Sequence, residues 1–231
     1  MYSLLSESTW RNSLVPDATP GVPDQTKLSF TEEMKGFVTK GESDYDRGFR
    51  EGQNAHSDLM FHLTITVTGV FDFVSKPATT AAAVGWVRSN ALGGQFPVTD
   101  GWFNLFVDQG TPTLKHMTYR LFFQDASRQP LTFSGFKVIR DDPGFDVWLD
   151  TTTLFTRILE GHVQQEEEAN ARLVAGGILH LSILDFMQQL TTFRVDGPTA
   201  VQKASALSRF GTFFMGGLWE VYGAKVQEHS A

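Results

Sequence analysis

The chain has 231 residues, 41% hydrophobic and 19% charged, with 20 Phe and 5 Trp; this excludes a disordered protein and suits one large domain or two small ones. Nineteen Lys and Arg against 26 Asp and Glu give a formal charge of −7, and with no basic run or stripe this argues against nucleic-acid and anionic-membrane partners. No Cys occurs, which excludes disulfides, thiolate zinc sites, iron–sulfur clusters and a Cys nucleophile.

Residues 1–27 carry Pro16, Pro20, Gly21 and Pro23 among polar residues and read as a tail or strap, leaving 28–231 as a single domain. No basic n-region followed by an apolar h-region opens the chain, and no Asn-x-Ser/Thr acceptor occurs. No run approaches the roughly 18 apolar residues of a membrane span, so a soluble, cytoplasmic protein is expected. Leu28 to Lys40 suits a short helix or a strand, and the polar, Gly-punctuated stretch from Gly41 to Asn54 reads as a loop.

From Leu59 the pattern has period two. Leu59, Phe61, Leu63, Ile65 and Val67 point one way, and Met60, His62, Thr64, Thr66 and Thr68 the other. The same rule predicts strands over Ala82–Ser89, Gln95–Val98, Trp102–Asp108, Leu114–Gln124, Leu131–Arg140 and Val147–Leu159. Turn chemistry separates most of them, as at Leu92-Gly93-Gly94, Thr99-Asp100-Gly101 and Asp141-Asp142-Pro143-Gly144. Consecutive hairpins imply an antiparallel meander.

Several strands are apolar on both faces, as at Trp102–Val107 and Leu121–Phe123, so either a second layer packs outside or the sheet closes into a filled barrel. Residues 163–175, with Glu166-Glu167-Glu168, predict a solvated helical connector, and Gly177–Val195 a long strand, although Leu184, Met187 and Leu190 suit a helix equally. After Pro198, placed at N1, apolar or small residues recur at Val201, Ala204, Leu207, Gly211, Phe214, Leu218 and Val221, the stripe of a helix lying on the sheet. Its Phe- and Gly-rich end offers a self-association face, hence a homodimer. The expected fold is therefore mainly β: an antiparallel meander closing into a lipocalin-like barrel with a long C-terminal helix packed on it.

Nucleotide and serine-hydrolase motifs are missing, so no cofactor is implied. His56-Ser57-Asp58 matches two ligands of a two-His-one-carboxylate iron site, with His116, His162 or His180 as third, but an exposed loop is the commoner meaning of such a tripeptide. The densest polar cluster, Lys137 to Thr153, supplies Lys137, Arg140, Asp142, Asp146 and Asp150, which at a barrel mouth could form a tuned acid–base set. A hairpin with Asx-turns explains the same residues. Lys137 or Tyr119 is the expected donor, with Asp142, Asp146 or Asp150 as partner. Tyr119 and His116 have opposite strand parity, so only one can serve a single site. Trp86, Trp102, Phe106, Phe122, Phe136 and Trp148 are candidates for an aromatic wall against a flat apolar ligand, with His180 beside them.

Gly-Trp-Phe-Asn-Leu-Phe-Val-Asp (101–108), Met-x-Tyr-Arg-Leu-Phe-Phe (117–123), Leu-Thr-Phe-Ser-Gly-Phe-Lys-Val (131–138) and Arg-Asp-Asp-Pro-Gly-Phe-Asp-Val-Trp-x-Asp-Thr-Thr-Thr (140–153) carry a resemblance. They resemble an accessory domain found fused to, or beside, GMC-type oxidoreductases and α/β-hydrolases that handle sterol-like substrates. The chain is also similar to stand-alone fungal biosynthetic proteins of the tropolone-sesquiterpenoid hetero-Diels–Alderase type. The first resemblance implies handling of a small hydrophobic molecule for a partner oxidase. The second implies cofactor-independent cyclisation or cycloaddition of a terpenoid or polycyclic substrate.

Overall fold

Alternation of apolar and polar residues commits about half of the described residues to strands, because a sheet with one face turned from water buries every second side chain. The structure, a computed structural model, describes residues 24–76, 80–108, 114–140 and 152–212. Its strands are β1 (Lys27–Lys40), β2 (Asp58–Thr68), β3 (Thr80–Ser89), β4 (Gly94–Val98), β5 (Asp100–Asp108), β6 (Leu114–Gln124), β7 (Pro130–Arg140), β8 (Thr153–Glu160), β9 (Leu173–His180) and β10 (Arg194–Asp196). The helices are α1 (Tyr45–Asn54), α2 (Val70–Ser75), α3 (Ile183–Thr191) and α4 (200–212), with a 3₁₀ turn at Gln165–Asn170.

Strands β1, β2, β3, β5, β6, β7, β8 and β9 pair in that order, all antiparallel. β9 then returns to β1, from Lys35 opposite His180 to Lys40 opposite Ala175, and closes the meander into an eight-stranded barrel. β4 runs ahead of β5 along β3, and β10 pairs with the first residues of β1.

Strand phase fixes what the barrel encloses. Leu28, Phe30, Met34 and Val38 of β1 and Leu59, Phe61, Leu63, Ile65 and Val67 of β2 all point inward and are at most 2% exposed. Register carries that face through Val87, Phe103, Tyr119, Leu121, Phe133, Leu154, Ile158 and Leu179. The second layer expected outside is present as well. α1 lies on the outer face of β1 and β9, with Tyr45 edge-on to Phe136 and Phe155 and Phe49 edge-on to Phe37. A Cβ at Gly48 would stand 2.2 Å from the Gly176 carbonyl oxygen, and one at Gly52 would stand 2.5 Å from that of Val38. Glycine at both positions is what lets helix backbone touch sheet backbone.

Three predicted elements change, and one open alternative closes. Gly41–Asn54 is not a loop but contains α1, capped by Asp44, whose carboxylate accepts from the Arg47 backbone N–H at 2.8 Å. Leu28–Lys40 resolves as strand. The solvated helical connector predicted at 163–175 shortens to a six-residue 3₁₀ helix, Gln165–Asn170, followed by the start of β9. The long strand predicted over Gly177–Val195 stops at His180, because the Ser182 hydroxyl accepts from the Asp185 N–H and starts α3. Residues 24–27, predicted as part of the tail, are joined to the barrel: Asp24 accepts from the Phe71 N–H at 2.8 Å and ties the chain to α2.

The C-terminal helix packs on the barrel, but not by its predicted stripe: Val201 and Leu207 are 68% and 46% exposed and Ala204 is exposed, while Ser205, Ala206 and Phe210, on another face of the helix, are buried, because the aromatic Phe210 and not the smaller stripe residues finds the apolar surface. Its cap is Thr199, whose hydroxyl accepts from the Gln202 N–H, so Pro198 stands just outside the helix instead of at N1. Phe210, fully buried, packs on Phe30, Phe193 and Phe73 at ring distances of 5.9, 5.9 and 6.3 Å. The remainder of the predicted helix, including Phe214, Leu218 and Val221, lies outside the described residues. Among the described residues no helix is long and apolar enough to cross a membrane.

Candidate functional site

One charged residue sits in the apolar phase of β1. Glu32 falls between Phe30 and Met34 and therefore faces the barrel interior, where it is 3% exposed. β6 and β7 bring Tyr119 and Lys137 to it from across the barrel. The Tyr119 hydroxyl donates to Glu32 Oε2 at 2.8 Å, and Lys137 Nζ donates to Glu32 Oε1 at 2.7 Å. The ammonium also stands 5.3 Å from the centroid of the Tyr119 ring. Phe103 and Phe61 flank that ring at 4.9 and 5.7 Å, and Phe133 lies 5.7 Å from Phe61.

The electrostatics follow from this geometry. Burial above all, then the charge and the accepting oxygen of Glu32, push the Tyr119 hydroxyl well above its ordinary value near 10. Its proton is committed to Glu32. A lysine ammonium has three donors, and among the described residues Glu32 accepts one of them, so Lys137 keeps N–H groups for an incoming oxygen. Replacing a buried ion pair by apolar residues of similar volume is often neutral or stabilising, so stability alone gives no reason to retain one here. Lys137 lies three residues from the end of β7, about 10 Å from the barrel rim along the strand.

The two expected donors, Tyr119 and Lys137, are thus brought together, but their described partner is Glu32. Asp142, Asp146, Asp150 and Trp148 lie outside the described residues, as do the side chains of Phe106 and Arg140. The aromatic wall is corrected by strand parity. Trp86, Trp102, Phe122 and Phe136 all lie on the outer face, and the interior rings are Phe61, Phe103, Tyr119 and Phe133.

Each outer ring has its own neighbours. Trp86 stacks on His62 at 5.4 Å, and His62 Nδ1 is 3.1 Å from Glu33, which also pairs with Lys35. Trp102 lies 5.7 Å from the Arg120 guanidinium, which donates to the Val163 carbonyl at 2.8 Å and pairs with Glu168 of the 3₁₀ turn. Phe136 is sandwiched by His116 and Phe155 at 4.9 and 5.3 Å. His180 ends β9 on the outer face, edge-on to Phe49, and burial lowers its pKa, as it does that of His116. No three His, Asp or Glu among the described residues converge as metal ligands, so His56 and Asp58 gain no third partner there.

A cleft of about 460 Å³ opens at the opposite barrel end from the rim nearest Lys137. Phe96, Phe122 and Phe123 line it together with Asp100, Asp125 and His162. Comparison of the chain with models of known families, with curated proteins and with solved structures finds no match.

Proposed function

We propose that the protein binds a hydrophobic terpenoid or polycyclic molecule at the Lys137 end of the barrel and promotes its cyclisation or hetero-Diels–Alder cycloaddition without a cofactor. The observation that carries this reading is the buried Tyr119–Glu32–Lys137 set in an interior that is otherwise uncharged among the described residues. In that role Lys137 donates a hydrogen bond to a carbonyl oxygen of the substrate and draws electron density from the conjugated system, while Glu32 holds the ammonium in place and Tyr119 holds Glu32. A cycloaddition turns π bonds into σ bonds and consumes no oxidant or reductant, so donors and orientation suffice. Holding two reacting groups in near-attack geometry supplies roughly 7–11 kcal/mol, and a donor placed where charge develops adds to it.

Native mass spectrometry of the protein purified from its own host identifies any bound apolar metabolite. Liquid chromatography–mass spectrometry of host extract incubated with the protein then follows conversion. The expected result is a new product, either isomeric with a consumed compound or equal in mass to the sum of two, that fails to form with Lys137→Met. A bound metabolite released unchanged, with identical extracts for both proteins, would overturn catalysis and leave a carrier for a partner enzyme.

A further inference from the structure

The cleft at the far end of the barrel does not depend on the reading above: along β6 it is six residues, about 20 Å, from the Met117–Lys137 pair. Its origin is an irregularity in the wall. On β3, Gly85 faces Val98 and Ala82 faces Trp102, so residues 99–101 carry one more residue than the strand opposite them. Such a bulge breaks the ladder and re-aims side chains. Here it places Asp100 directly across from Phe122, on the same outer face.

The two sides of the cleft differ in chemistry. Phe96 stacks on Phe123 at 5.9 Å, and the His162 ring lies 5.3 Å from Phe122, so flat apolar surface makes the floor. Asp100 is exposed and has no hydrogen-bond partner among the described residues. Asp125 is fixed by its own turn, where Oδ1 accepts from the Ser127 and Gln129 N–H groups at 2.8 and 3.0 Å. No lysine or arginine lines the cleft among the described residues. An aromatic floor beside two carboxylates favours a flat body bearing a positive charge and repels anions, because the ring faces and the carboxylates are both negative.

We propose that this cleft is a binding site for a small organic cation, an aromatic or cyclic amine whose ring rests on Phe122 and Phe96 and whose ammonium faces Asp100 and Asp125. Isothermal titration calorimetry with tryptamine as probe, and indole-3-propionate as its anionic counterpart, tests it on the full chain. Tryptamine is expected to bind with a Kd of about 1 mM or tighter. Asp100→Asn, which removes no described contact, is expected to weaken binding roughly three- to tenfold and to reduce its salt dependence. Phe122→Leu is expected to weaken it also, with circular dichroism confirming that both variants fold. Equal binding of indole-3-propionate, unchanged affinity in Asp100→Asn, or no tryptamine binding at about 5 mM would each overturn the proposal.

Discussion

Both carboxylate oxygens of Glu32 are engaged, so the three residues of the buried set stand or fall together. Lys137→Met leaves a buried carboxylate without its counter-ion and is expected to cost about 3–5 kcal/mol in urea denaturation. The double variant Glu32→Leu with Lys137→Met is expected to recover part of that loss, since it removes both charges at once but leaves the buried Tyr119 hydroxyl without its acceptor, at about 1–3 kcal/mol. A recovered, inactive double variant would separate the chemical role of the pair from any structural one. Tyr119 adds an alkaline signature. An unfolded tyrosine loses its proton near pH 10 while the buried one holds it to higher pH, so the unfolded chain binds fewer protons and stability falls as pH rises above about 10. Thermal melts from about pH 8 to pH 11 should show that decline, less steeply in Tyr119→Phe. Of this set, Lys137 and Tyr119 were visible in the sequence as polar residues in strand-rich stretches. Glu32 was visible too, as a charge on the apolar phase of Leu28, Phe30, Met34 and Val38, but only once that stretch is read as a strand. Phe103 and Phe133 were missed because the rings chosen for the wall, Trp102, Phe122 and Phe136, lie in the opposite strand phase, and a one-residue shift moves a ring to the other face.

At the scale of elements, the docking of α1 is tested by a substitution whose two effects oppose each other. In an isolated helix Gly48→Ala is stabilising by about 1 kcal/mol. Against the barrel, its methyl group would meet the Gly176 carbonyl, and overpacking of that kind costs about 1–3 kcal/mol. Net destabilisation, with faster amide exchange confined to 45–54, is the expected outcome. The same glycines explain why this helix was illegible: its buried face carries Gly48 and Gly52 in place of large apolar residues, so no stripe appears. The meander strands were legible because β2 and its neighbours bury every second residue. α3 was not, because Leu179, Leu181 and Ile183 continue the strand alternation across Ser182, whose capping bond is what ends it. The segment 163–170 is held to the barrel by Arg120, which is 2% exposed and bridges Val163, Ser134 and Glu168, by the Ser134 hydroxyl, which donates to Glu168 at 2.8 Å, and by the Thr132 hydroxyl, which accepts from the Val163 N–H at 2.9 Å. Arg120→Met should raise hydrogen exchange over 163–170 and leave the barrel strands protected.

At the scale of the whole molecule, closure leaves β1 hydrogen-bonded to β2 on one side and to β9 on the other along Lys35–Phe37. A central strand without a free edge opens only when the barrel does. Exchange of the Lys35 and Phe37 amides is therefore expected to report the same free energy as global denaturation, whereas β10, three residues long, should exchange far sooner. The strand that closes the barrel is synthesised late. Lys40 and its partner Ala175 are 135 residues apart, so at ordinary elongation rates β1 and β2 wait on the ribosome for roughly 7–27 s before β9 exists. Through that interval the β1–β2 hairpin shows one unpaired edge and an uncovered row of Phe and Leu side chains to every other nascent chain. Yield in a heterologous host should accordingly depend on translation speed and on holdase chaperones more than on the stability of the finished barrel.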